Sequence, residues 1–187
     1  VDLSKFNCIV KLYCYNNNIK ELLGLSNRLK YLNCSSNSLI VLTNLPNSIE
    51  YLICENCDLF SLDKLPLNIK FLNCASNNLS HLTNIPFNLE KLYCPHNKLT
   101  NLDWLPDGLT ELNCSFNFIS KLDDLPSTLI TLNCIHTDIE ILSNLPRKLI
   151  NITFYGKIVN SPPELLFINN KKIEQKIEQK IEQKIEL

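Results

Sequence analysis

Residues 66–85 read PLNIKFLNCASNNLSHLTNI, and residues 86–105 read PFNLEKLYCPHNKLTNLDWL. Laid over each other, they share Pro66 with Pro86, Leu72 with Leu92, Cys74 with Cys94, Asn77 with Asn97, Leu79 with Leu99 and Leu82 with Leu102. The same twenty-residue step runs outward in both directions. Seven of the nine cysteines fall on it, at Cys14, Cys34, Cys54, Cys74, Cys94, Cys114 and Cys134. A leucine precedes each of them by two, from Leu12 to Leu132, and Ile152 continues that column. Proline recurs at Pro46, Pro66, Pro86, Pro106, Pro126 and Pro146, with Ser26 as the departure. The eighth turn degrades, placing Phe154 where Cys is expected and Pro162 where Leu is expected, as terminal repeats do. A fixed period of this length is the signature of a solenoid, in which each unit buries its apolar face only against its neighbours.

Within a unit, Leu-x-Cys alternates apolar and outward positions, so both side chains point inward from a short strand. Proline in each unit forbids a helix through that point and favours an extended, polyproline-like return. About twenty residues leave room for one strand, two corners and a short return. The expected fold is therefore a solenoid of the α/β class, rich in β: a short parallel β-sheet on the concave face, an extended convex side and a C-terminal helix. Three segments are expected. Residues 1–10 enter the array, about eight turns occupy 9–159, and a cap with an Ile-Glu-Gln-Lys helical tail occupies 160–187.

The unit Leu-Pro-x-x-Leu-x-x-Leu-x-Cys-x-x-Asn-x-Leu-x-x-Leu-x-x resembles the leucine-rich-repeat family in its shortest, twenty-residue form. Similar short repeats occur in secreted bacterial effectors, and related arrays in amoebae and their giant viruses. The resemblance covers residues 9 to about 159 and implies a binding scaffold rather than an enzyme.

Several columns look chemical and are better explained by structure. Buried free cysteine behaves as a small hydrophobe, and a line of thiols does not converge on a point as a zinc site requires. Cys54 and Cys57 form a Cys-x-x-Cys, but Cys57 stands in the column of Asn17, Asn37, Asn77, Asn97 and Asn117. That asparagine column is expected to satisfy backbone donors and acceptors as the chain leaves each strand. His96 and His136 lie two turns apart with Phe116 between them. Asp103, Asp107, Asp123 and Asp124 read as a solvated acidic edge. With three glycines no phosphate-cradling loop forms, and no catalytic motif is present. Catalytic residues, metal and cofactor are all expected to be none.

Eighteen basic residues balance nineteen acidic ones, which offers no pull towards nucleic acid or an anionic membrane. No apolar run approaches the ~20 residues that span a bilayer. Nine thiols fit a cytoplasmic location, that of a host cell included. Secretion is not excluded, because a chain that starts at Val1 and holds no Met is expected to have lost its original start.

Function is expected on the concave face, from side chains flanking the inward Leu and Cys. All six tyrosines lie in three such columns. The expected partner-binding residues are Tyr13, Tyr15, Tyr31, Tyr51, Phe71, Lys91, Tyr93 and Glu111, with a protein partner and a monomeric solenoid. Interfaces favour tyrosine for its large apolar body and polar tip; strands favour aromatics too. The alternatives are a structural or assembly spacer and, less favoured, an enzyme or metal protein.

If the cysteine column points inward, the native chain should hold free thiols that react slowly with a thiol reagent and fully in denaturant. Several disulfides under non-reducing mass analysis would reject that placement.

Overall fold

Three-residue strands recur every twenty residues because each unit supplies only one short run with alternating sides. In the computed structural model, which describes residues 1–159, they are β1 (Lys11–Tyr13), β2 (Tyr31–Asn33), β3 (Tyr51–Ile53), β4 (Phe71–Asn73), β5 (Lys91–Tyr93), β6 (Glu111–Asn113) and β7 (Thr131–Asn133). β8 (Ile141–Ser143) lies on the return side, β9 (Asn151–Thr153) resumes the series, and β10 (Lys157–Val159) follows. One parallel sheet of eight strands runs β1-β2-β3-β4-β5-β6-β7-β9. Its register pairs Leu12 with Leu32, Leu32 with Leu52, and so on to Ile152, so the sequence columns are physical rungs. A second, two-stranded parallel sheet pairs β8 with β10 across the last turn. The helical tail expected over 160–187 lies outside the described residues.

Behind the sheet, the leucine and cysteine columns fill a single core. Leu29, Leu32, Ile49, Leu52, Leu72 and Leu92 are among its fully enclosed side chains. Cys34, Cys54, Cys74, Cys94, Cys114 and Cys134 are buried beside them, whereas Cys14 on the first turn is half-buried and Cys8 is exposed. All nine thiols are free. Burial pushes the Cys74 thiol up to about 12, so the reactive thiolate is scarce at neutral pH.

The return arm does more than extend. In each turn the residue three beyond the proline donates its backbone N–H to the proline carbonyl, as from Leu89 to Pro86 and from Leu109 to Pro106 (both 3.0 Å). Proline thus heads a tight turn that swings the chain back towards the sheet. Two left-handed corners recur along the array, the second of them skipped at Lys64. One holds Asn16, Ser36, Asn56, Ser76, His96, Phe116 and His136, all near φ +54°. The other holds Gly24, Asn44, Asn84, Trp104, Asp124 and Asn144. Asparagine and aspartate tolerate that region better than other side-chain-bearing residues, so a chain with 26 Asn builds these corners with three Gly. At Gly24 (φ +65°) glycine is needed, since a Cβ would lie 2.4 Å from the Ser4 backbone nitrogen of the packed entry segment.

The asparagine column holds the corners together. Asn77 donates from Nδ2 to the carbonyls of Cys54 (2.8 Å), Cys74 (3.0 Å) and Ala75 (3.0 Å). Its Oδ1 accepts from the backbone N–H of Leu59 (3.0 Å) and Cys57 (3.1 Å). Asn37, Asn97 and Asn117 repeat the pattern, each bonded to its own turn and the one before. Cys57 substitutes weakly, its Sγ lying 3.1 Å from the Cys34 carbonyl, and Thr137 reaches only Cys134 (2.8 Å).

Two opposite outcomes are expected at this column. Asn77→Ala should destabilise by about 3 kcal/mol or more, because several enclosed backbone groups lose their partner at once. Cys57→Asn should stabilise by about 1 kcal/mol by supplying an acceptor and a second donor. Urea melts of both variants check this, and equal midpoints would show that packing alone holds the turns.

Candidate functional site

The middle residue of each sheet strand is buried, or half-buried at the two end strands β1 and β9, so its neighbours on either side must face outward. Because the register is uniform, each outward residue stands directly beside its equivalent on the next turn. One rung column runs Lys11, Tyr31, Tyr51, Phe71, Lys91 and Glu111. The next runs Tyr13, Asn33, Ile53, Asn73, Tyr93 and Asn113.

Five aromatic rings on these columns join into one unbroken ladder. Tyr13 and Tyr31 have ring centroids 4.9 Å apart, Tyr31 and Tyr51 6.3 Å, Tyr51 and Phe71 6.3 Å, and Phe71 and Tyr93 5.5 Å. The ladder starts in the second column, passes through the first and returns to the second at Tyr93. Tyr13 and Tyr51 keep 57% and 43% of their surface exposed. Tyr31, Phe71 and Tyr93 are half-buried by their neighbours rather than freely solvated. Burial, and after it the neighbouring Tyr13, raises the Tyr31 hydroxyl above its ordinary pKa.

The ladder ends in a polar lock. The Tyr93 hydroxyl donates to Glu111 Oε2, and Lys91 Nζ meets Glu111 Oε1 at 2.5 Å. Hydrogen bonds from Lys91 and then Tyr93 hold the Glu111 carboxyl below its ordinary range. Burial, and then the bond to Glu111, pushes Tyr93 up to about 12. Beside the rings, Glu50 bridges Lys30 (2.8 Å) and Lys70 (3.2 Å). Both glutamates flanking the ladder are therefore paired with lysine, three lysines to two glutamates.

Seven of the eight expected residues share this arrangement. Tyr13, Tyr31, Tyr51, Phe71 and Tyr93 form the ladder, and Lys91 and Glu111 close it. Tyr15 is exposed but makes no ring contact with the ladder among the described residues. The amides of the second rung column are partly tied: Asn33, Asn73, Asn113 and Asn133 accept from the backbone N–H two residues on.

A second stack was not read from the sequence. At the left-handed corner His96 lies 4.2 Å from Phe116, Phe116 lies 4.3 Å from His136, and His136 meets the edge of Tyr155 at 5.5 Å. Their shared column is visible in the sequence, but the stacking of its rings is not. On the return side Trp104 is 94% exposed at φ +61°, beside a hollow that Asp103, Asp107, Asp123 and Asp124 help to line. No group of three or more His, Cys, Asp or Glu among the described residues is placed to hold a metal ion.

Residues 88–127 match the family of leucine-rich repeats (two copies). YopM from Yersinia enterocolitica WA-314 superposes with a TM-score of 0.79 at 30% identity, over 83% of this chain and 36% of YopM. The fold is a leucine-rich-repeat solenoid. A Shigella effector leucine-rich-repeat domain aligns at a TM-score of 0.63 and 29% identity, over 86% of this chain and 65% of that one. The functional domain of InlJ from Listeria monocytogenes, which includes a cysteine ladder, shares the fold at a TM-score of 0.61 and 24% identity, over 87% of this chain and 48% of that one. This chain thus spans between about a third and two thirds of these proteins' lengths. No curated protein sequence matches it.

The Tyr93–Glu111 bond gives a pH prediction. Tyr93 titrates ordinarily at 10.0 and in the fold at about 12. Its protonated hydroxyl therefore stabilises the fold fully below pH 10.0, and that contribution is lost as pH rises through about 12. Glu111→Gln should lower the pKa of the last tyrosine to ionise, as read by tyrosinate absorbance, while burial keeps it above the ordinary value. An unchanged titration would remove Glu111 from this role.

Proposed function

We propose that the solenoid is a protein-interaction module and that the aromatic half of its concave sheet is the docking face. The observation that carries this reading is the ring ladder itself. Five aromatic side chains stand on consecutive rungs of one sheet, with Tyr13 and Tyr51 largely open to water. Cross-strand stacking stabilises such a row by only ~0.2–1 kcal/mol per pair. The same row is a rigid apolar platform with hydroxyl tips, the chemistry that dominates binding hot spots.

Leucine-rich-repeat relatives that include an effector domain support the reading, as proteins whose fold presents a curved sheet. The titratable groups that do converge, Lys91, Tyr93 and Glu111, are spent on one another, so binding rather than catalysis is the proposed role. A monomeric chain in a reducing compartment belongs to the same proposal, since all nine thiols are free and seven of them are enclosed in the core.

Affinity capture with mass spectrometry identifies a partner, and paired variants then place its site. Tyr31→Ala with Tyr51→Ala should keep the fold, at a stability cost below that of a core deletion, ~2–5 kcal/mol. The pair should weaken binding by about 2 kcal/mol or more. Asp103→Ser with Asp123→Ser, on the return side, should leave binding unchanged. Loss of binding in the aspartate pair alone would put the site on the opposite face.

A further inference from the structure

We propose that the ladder recognises a proline-rich segment in the polyproline II conformation, lying along the solenoid axis. This deepens the docking proposal above and rests on it.

Main-chain pairing is closed to a ligand over most of the face. Strands β2 to β5 are hydrogen-bonded to neighbours on both sides, so an extended peptide cannot join the sheet there by strand addition. The ligand must be read by side chains. Those side chains are rings and hydroxyls: among the described residues the hydroxyls of Tyr13, Tyr31 and Tyr51 make no hydrogen bond, while Tyr93 is committed to Glu111. A phenolic O–H can donate a hydrogen bond. A polyproline II helix has no internal hydrogen bonds and leaves its carbonyls free, and proline adds an apolar ring without an N–H. Donors on the ladder therefore meet a ligand made almost wholly of acceptors and apolar surface.

Charge points the same way. Lys30, Glu50 and Lys70 pair among themselves, as do Lys91 and Glu111, so these groups leave a single net positive charge, a weak field for selecting a charged peptide.

The spacing is the third argument. Adjacent parallel strands lie ~4.8 Å apart, so the backbones of alternate rungs repeat at about 9.6 Å, while the rings they carry step by 6.3 Å from Tyr31 to Tyr51 and again to Phe71. A polyproline II helix repeats every three residues at ~3.1 Å each, or about 9.3 Å. Tyr31 and Phe71 are two rungs apart in one register column. They would meet residues i and i+3 of the ligand, with Tyr51 filling the groove between. The whole ladder spans four rungs, about 19 Å, which is the length of about six polyproline II residues.

The test is titration of the intact chain with end-blocked decaproline, followed by amide shifts in an isotope-labelled sample, with a Gly-Ser peptide of equal length as control. Shifts are expected on β1 to β5 with decaproline and none with the control. Tyr51→Ala should weaken binding at least about tenfold. Tyr31→Phe keeps the ring and fold but removes a donor, and should weaken it about threefold. No decaproline binding at millimolar concentration, or binding that both variants leave unchanged, overturns the proposal. Selection of a random peptide library on the same protein separates the two readings. Peptides without prolines three apart that lose binding in Tyr51→Ala overturn the polyproline inference and leave the concave face as the docking site. Peptides indifferent to Tyr51→Ala, or no retained peptide at all, overturn both.

Discussion

A buried asparagine amide that bonds two turns at once is the constraint on which the rest of this solenoid depends. Leaving the strand, the chain turns inward and exposes carbonyls and N–H groups to a core made of leucine and cysteine, where an unpaired polar group is costly. Asn77 answers carbonyls on its own turn and the carbonyl of Cys54 one turn back, while accepting from Leu59. The bond runs across the stack as well as within the coil. It fixes the height of one turn over another, and the leucine columns then fall into line because the backbone already has.

The functional face follows from that alignment. A sheet whose rungs are in perfect column register brings side chains of the same kind together. Tyr31, Tyr51 and Phe71 become a stack because each occupies the same place on its own turn. The stack then leaves the column at both ends, crossing to Tyr13 and to Tyr93, where the sequence puts Lys11 and Lys91 in the aromatic position. Lys91 is used a second time, as the partner of Glu111 that ends the ladder. A repeat protein thus obtains a bounded patch from a periodic scaffold by breaking the period on its outward side.

Much of this was legible in advance. Period, strand position, the inward cysteines and the bonding asparagines follow from spacing and polarity, since each unit repeats one local solution. The aromatic columns were legible as columns. Their diagonal connection was not, because contact between Tyr13 and Tyr31 depends on ring reach across two columns rather than on a shared position. The corner stack of His96, Phe116 and His136 was missed for another reason. Left-handed corners are recognised by Gly or Asn, and bulky rings there run against preference. Trp104 at φ +61° breaks the same rule in the other corner.

The repeat length has a consequence for how such a chain can change. Bonds across the stack join residues separated by 18, 20 or 23 positions, in turn after turn. Removal of one residue from a coil would misalign that coil with both neighbours and tilt its leucines out of the core. Addition of a complete coil would leave all others as they were. The molecule is therefore divisible at one grain only, and its length is inherited in whole coils, much as a stack of coins grows by coins and not by slivers.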